Sequence, residues 1–247
     1  MRAVILVAGA SKRMGGITES TPKTLLKVGN RPILQWMLSA LLHEQIQEVI
    51  FVCGYLKEQI QQFVHDQFPE IQTTWIENEV YAETNTAYSV WLTREVVLAK
   101  EEPILLLNGD VVFDYRAISA TLSAGEGNVL ATRLDRVAEE EVKVRLDSDR
   151  WILEIGKQIA PSSAAGESVG INRLSFQLLS ELYPVLEQRI RYGKGAFEFY
   201  EVAFNAMIQN GTVFSIADVT PFPVMEVDTV EDYEEVEHAI APCLIVS

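Results

Sequence analysis

Between Leu6 and Lys27 the chain passes abruptly from apolar residues to LVAGASKRMGG and then TPKTLLK, where small residues and fixed positive charge dominate. Ala8, Gly9, Ala10, Ser11, Lys12, Arg13, Met14 and Gly15 form a turn whose glycines let backbone N–H groups face a ligand. Arg13 offers a planar fork that matches phosphate oxygens, and Lys23 a compact charge on a backbone restrained by Pro22. These types in this order suit a polyphosphate cradled against a loop. The pattern is neither the G-x-G-x-x-G fingerprint nor the G-x-x-x-x-G-K-[ST] P-loop. A different chemistry is offered by Asp110, which follows Gly109 at the end of an apolar run. A carboxylate buried at a strand end is costly unless something pairs with it, and a divalent cation does so. Far along the chain, Glu226 and Asp228 stand two residues apart and share a face if that segment is extended.

Such residues need a scaffold that ends several strands at one edge. Residues 3–7, 48–53, 73–76 and 103–110 read as short, mostly apolar strands. Residues 32–42, 56–68 and 86–99 read as helices between them, the first opened by Pro32. This alternation predicts an α/β fold, with a parallel sheet covered on both faces in three Rossmann-like layers. Ligands bind such sheets beyond the strand C-termini, where Gly9 and Asp110 both fall. The second half is less regular. Strands are expected over 129–132, 142–146, 151–155, 168–172, 214–218 and 222–227. Helices are expected over 174–191 and 197–209, and a closing helix from Thr229 with Glu231 and Asp232 in its first turn. No repeat or low-complexity tract divides the 247 residues, so a single domain is expected.

Composition narrows the partners. The chain carries 35 acidic and 20 basic residues, a net charge of −15, which argues against wrapping a nucleic acid backbone. It is compatible with a cationic substrate and equally with a solvated acidic surface. No stretch approaches the ~18 apolar residues of a membrane span, and no apolar leader precedes a cleavage site, so a cytoplasmic protein is expected. Cys53 and Cys243 have neither metal-ligand spacing nor a disulfide framework, and Cys53 is expected to be a buried thiol.

The opening stretch resembles the signature of the nucleotidyltransferase superfamily that includes the sugar-phosphate pyrophosphorylases, L-A-A-G-x-G-x-R-(M/L), then T, then P-K-x-L. Here it reads Leu6 to Met14, Thr18 and Pro22 to Leu25, with Ser11 at the usual second glycine. The resemblance implies the mixed, mainly parallel sheet of the nucleotide-diphospho-sugar transferases, with residues 1–128 as a nucleotide-binding half and 129–240 as an acceptor-binding half. It implies Mg2+ on Asp110 and Asp228, with Glu226 beside them. Glu83 to Ser89 is similar to the T-N-x-x-S stretch of phosphocholine-type cytidylyltransferases, which places Thr84, Asn85 and Thr86 near a pyrimidine base. Asn85 can donate and accept, and it also suits an N-cap. The segments 140–144, 155–157 and 166–171 resemble cytidylyltransferases acting on phosphocholine, aminoethylphosphonate or inositol phosphate. That implies Lys143 or Lys157 on the acceptor phosphate, with Gly170 in the same region. Tyr192, Glu198 and Tyr200 offer the aromatic faces and carboxylate that an ammonium prefers, while Phe197 and Phe199 suit packing.

Together these readings predict a magnesium-dependent nucleotidyl transfer. A nucleoside monophosphate, CMP from CTP, passes to a small phosphate or phosphonate acceptor such as phosphocholine, and pyrophosphate leaves. Lys23 and Arg13 are the expected catalytic residues. A sugar-1-phosphate transferase using UTP, GTP or dTTP is the alternative within the enzymes, and a non-catalytic nucleotide-sensing subunit the alternative outside them. The sequence leaves a homo-oligomer open.

Overall fold

The computed structural model describes residues 1–245. In chain order the elements are β1 (Arg2–Val7), β2 (Lys27–Val28), β3 (Arg31–Pro32), α1 (Ile33–His43), β4 (Glu48–Cys53), α2 (Lys57–Gln67) and β5 (Gln72–Glu77). There follow α3 (Thr86–Leu92), α4 (Arg94–Leu98), β6 (Ile104–Asn108), β7 (Val111–Phe113), α5 (Tyr115–Ser123), β8 (Asn128–Arg133), β9 (Lys143–Leu146) and β10 (Ile152–Gly156). The chain continues through β11 (Gly166–Leu174), α6 (Phe176–Tyr192), α7 (Tyr200–Gln209), β12 (Phe214–Asp218), β13 (Val224–Glu226) and α8 (Val230–Glu235).

Nine strands form one sheet, in the order β10-β9-β11-β6-β1-β4-β5, with β8 on β11 and β12 on β8. Pairings among β6, β1, β4 and β5 are parallel, as is β8 with β12, whereas β11 runs antiparallel to β6, β8 and β9. The fold is therefore a Rossmann-like α/β architecture with a mixed, mainly parallel sheet, as expected from the alternation of apolar strands and amphipathic helices.

Alternation along β1 shows why both faces must be covered. Ala3, Ile5 and Val7 enter one core with α1 and α2, and Val4 and Leu6 enter the other with residues of α3, α6 and α7. A third, smaller core of Met14, Leu26, Val28, Ile33, Val112, Met225, Val227 and Val236 lies under the glycine-rich loop. Burial of these side chains ties the loop to the strand that carries Glu226.

The site is made by a gap along one edge of β11. Residues 171–174 of that strand pair with β6, and residues 166–167 pair with β9, so 168–170 face neither. Gly170 adopts φ +69°, and a Cβ there would stand 2.5 Å from the Asn108 amide nitrogen. At the end of β6, Gly109 donates to the Leu6 carbonyl at 3.0 Å, and a Cβ would stand 2.5 Å from Val7 Cγ1. Only glycine lets these strand ends approach so closely.

Several boundaries differ from expectation for local reasons. The helix expected over 86–99 is two, because Thr93 turns its hydroxyl onto the Val90 carbonyl and the buried Tyr183 hydroxyl. The helix expected from residue 197 starts at Tyr200; Gly195–Phe197 form a 3-10 turn and Phe199 is extended at its N-cap. Thr229 caps α8 in a reciprocal capping box with Asp232. No helix among the described residues is long and apolar enough to cross a membrane.

Candidate active site

Beyond the C-terminal ends of β1 and β6 lies a cleft of about 220 Å³. Gly9, Ser11, Arg13, Lys23, Asn85, Thr86, Gly109, Asp110, Lys157, Glu226 and Asp228 all line it, although they come from six separate regions of the chain.

Each acid is placed by backbone pairing. Asp110 follows β6, and its carbonyl accepts from Val227 N at 3.0 Å. The antiparallel ladder of β13 on β7 sets Glu226 opposite Val111, which brings residues more than a hundred positions apart to one point. Asp110, Glu226 and Asp228 each offer a carboxylate oxygen, all within 4.8 Å of one another.

Two cations hold this cluster together. Lys23 Nζ lies 2.7 Å from Asp110 Oδ2 and 2.8 Å from Asp228 Oδ1, and Arg13 Nη2 donates to Asp228 Oδ2 at 2.7 Å. Lys23 is 8% exposed. Burial alone would lower its pKa, but the charges and hydrogen bonds of Asp110 and Asp228 override that and hold it well above the ordinary lysine value. Asp228 behaves conversely: burial pushes its carboxyl up, and Lys23 with Arg13 more than reverses this. Glu226 has no ion-pair partner among the described residues, and burial, then Asp110 and Asp228, raise its carboxyl far above the carboxylate range against the pull of Lys23. Asp110 Oδ1 is buried without a hydrogen-bond partner among the described residues. Three converging carboxylates with an orphaned oxygen fit a hard divalent cation, which takes oxygen ligands.

The loop itself departs from glycine chemistry at one position. Ser11 stands at φ +49°, ψ +48°, a left-handed conformation in which glycine is more comfortable. Its carbonyl accepts from Met14 N at 2.9 Å and Thr18 Oγ1 at 3.2 Å, which holds the turn in place.

Other expected site residues lie elsewhere. Met14 is fully buried in the third core, its apolar side chain having no reason to face solvent. Ala8 is also buried; Ala8, Ala10, Lys12 and Gly15 do not line the cleft, and Lys12 and Gly15 are exposed. Thr84 accepts from Asn78 Nδ2 and donates to the Val80 carbonyl, which orders the turn before α3. Gly170 supports Asn108 from outside the cleft. Tyr200 is 1% exposed, accepting from Asn172 Nδ2 and donating to Asn108 Oδ1. Tyr192 is 84% exposed, and Glu198 pairs with Arg189 at 2.8 Å away from the cleft. Lys143 is wholly buried with its ammonium on backbone carbonyls, so the acceptor-phosphate role implied for it does not match its position. Asn85 takes the N-cap of α3, its Oδ1 accepting from Thr86 N at 2.8 Å.

Lys157 lines the cleft with its ammonium 4.8 Å from the Phe199 ring centroid. Asn108, Val142, Ser168, Phe199 and Glu201 also line it. Glu201 is the most consequential of these: 5% exposed, with Oε2 lacking a hydrogen-bond partner among the described residues, and pushed up to about 7 chiefly by burial.

The nucleotidyl transferase family model matches residues 2–135, more than half of the chain. The chain belongs to the nucleotidyl transferase family. It is 26% identical over 250 positions to the CMP-5'-(3-aminopropyl)phosphonate synthase of Streptomyces rubellomurinus, covering 98% of this chain and 39% of that protein. A 95-residue stretch, 38% of this chain, is 34% identical to the choline-phosphate cytidylyltransferase of Streptococcus pneumoniae and covers 40% of it. The chain thus spans about two fifths of the length of these curated relatives. The solved structure of the CTP:phosphocholine cytidylyltransferase from Streptococcus pneumoniae superposes with a TM-score of 0.79 at 20% identity, over 96% of this chain and 97% of that one. At that identity the likeness establishes the fold.

Proposed function

We propose that this transferase passes CMP from CTP to a small zwitterionic acceptor bearing a phosphate or phosphonate and an amine. The observation that carries the acceptor reading is the pairing of opposite charges in one cleft. Lys157, its ammonium over the Phe199 ring, supplies a cation for the anionic end, and the buried Glu201 Oε2, without a hydrogen-bond partner among the described residues, supplies an anion for the amine. The preference for CTP draws on relatives named for phosphonate and choline-phosphate chemistry.

In the proposed reaction an acceptor oxygen attacks the α-phosphorus of the nucleotide, the bond from that phosphorus to the bridging oxygen breaks, and pyrophosphate leaves. The acceptor is already anionic, so no general base is required. Catalysis is then positioning and charge neutralisation. Arg13 and the amides of the 9–16 loop hold the β- and γ-phosphates, exchanging the Asp228 contact for phosphate oxygens. Lys23 stays between the acids and the α-phosphate, where its ammonium meets the developing charge. Asp110, Glu226 and Asp228 would hold a magnesium ion, which when bound neutralises phosphate charge.

A matrix of CTP, UTP, GTP and dTTP against phosphocholine, 2-aminoethylphosphonate, inositol phosphate and hexose 1-phosphates tests the reading, with pyrophosphate release as readout. Turnover is expected with CTP and the amine-bearing acceptors. Release confined to hexose 1-phosphates would favour nucleotide-sugar synthesis instead. No release with any pair would favour a sensing role.

A further inference from the structure

Lys143 opens β9 and is completely buried. Among the described residues no carboxylate forms an ion pair with it. Instead Nζ donates to three carbonyls of the preceding loop, those of Ala138 at 3.4 Å, Glu139 at 2.5 Å and Glu141 at 3.1 Å. An ammonium without solvent is costly unless its protons are taken. Three carbonyls take three protons, so the loop is restricted to conformations that converge those oxygens on one point.

The same loop walls the cleft near Lys157. Val142 lines it, and its carbonyl accepts from the N–H of Ser168, another lining residue, at 2.8 Å. At the outer end of the loop Arg136 pairs with Glu235 of α8 at 2.5 Å.

The geometry points to Lys143 as a positioning residue for the acceptor: its ammonium shapes residues 138–142 so that Val142 closes one wall of the acceptor site. Lys143 itself touches no ligand. This rests on the acceptor reading given above. Lys143→Met keeps the bulk and removes the donors, leaving three part-buried carbonyls without the ammonium that draws them together.

At saturating nucleotide, Lys143→Met is expected to raise the acceptor KM about tenfold with kcat changed less than about threefold, the pattern of lost ground-state binding. The nucleotide KM stays as in the wild type, and amide hydrogen exchange accelerates first in residues 138–142. An acceptor KM equal to that of the wild type, in a variant that merely melts earlier, overturns the proposal. Should that variant not fold, Val142→Ala trims only the lining side chain that the loop presents and carries the same test. A rise in acceptor KM alone is expected, and an unchanged acceptor KM overturns the proposal. The wild type separates the two levels. An active wild type whose variants keep its acceptor KM refutes the role of Lys143, whereas a wild type inactive with every acceptor refutes the acceptor reading itself.

Discussion

Lys23 is the residue on which the chemistry turns. Its ammonium bridges Asp110 and Asp228, and it is nearly sealed from water, so its charge acts in a low-dielectric surrounding. Lys23→Ala is expected to lower kcat by at least ~100-fold, the scale of losing one preorganised electrostatic contact. Steady-state pyrophosphate release checks this, and near-normal turnover would remove Lys23 from the mechanism. The same bridge has a second consequence. In the free protein Lys23 and Arg13 occupy carboxylate oxygens that a divalent cation needs. Lys23→Met should therefore bind Mn2+ about tenfold more tightly than the wild type in the absence of nucleotide, since the competing charge is gone. Electron paramagnetic resonance of free Mn2+ measures it, and equal affinity in the two proteins would show that the lysine does not guard the acids. Arg13, Lys23 and Asp110 are legible in the sequence, because fixed charge next to small residues and a carboxylate ending an apolar strand are conspicuous, and Asp228 is legible through the family resemblance. Glu201 was not. A lone glutamate within a helix signals nothing until packing shows that its oxygen is buried without a partner.

The elements place these residues through close approaches that only particular backbones allow. Gly170 combines a left-handed φ with a Cβ position 2.5 Å from Asn108. Gly170→Ala is expected to lower stability by about 1–3 kcal/mol, from backbone strain and from displacing Asn108. Chemical denaturation would show the shift, and an unchanged midpoint would mean that β11 relaxes freely. Strand and helix identities through the chain follow from period and breakers. Their ends do not, as at Tyr200. Residue type alone, aromatic faces and a carboxylate for an ammonium, put Tyr192, Glu198 and Tyr200 in the acceptor site. In the structure α7 starts at Tyr200, whose ring is buried, Glu198 pairs with Arg189 outside the cleft, and Glu201 lines it. Lys143 misled for a related reason. A lysine in an alternating strand reads as exposed, and only the three loop carbonyls explain an ammonium in the interior.

At the scale of the whole molecule, an acidic chain has gathered its carboxylates at the mixed end of the sheet, and stability should respond to pH there. Glu167, on β11, is 6% exposed and pushed up to about 7, first by burial and then by Glu141, against the pull of Arg133 and Arg136 and with Asp135 adding to the push. Its folded pKa lies above the ordinary value of 4.5, so the folded chain binds more protons than the unfolded one between those values. Its contribution is fully present below pH 4.5 and is lost as pH rises through about 7. Glu167→Gln removes that loss, so the variant should melt above the wild type at pH 8 and lose this advantage by pH 5. Melting curves at the two pH values check it; an advantage of the same size at both would assign the effect to packing. The activity belongs to this scale as well, because the cleft exists only where the glycine-rich loop, β6, β11 and β13 meet. Phosphorus NMR of the wild type with CTP, magnesium and 2-aminoethylphosphonate follows every phosphorus atom at once. Equimolar pyrophosphate and a new mixed phosphate–phosphonate anhydride are expected to grow together; CMP and pyrophosphate without the anhydride, or unchanged CTP, would contradict nucleotidyl transfer to this acceptor.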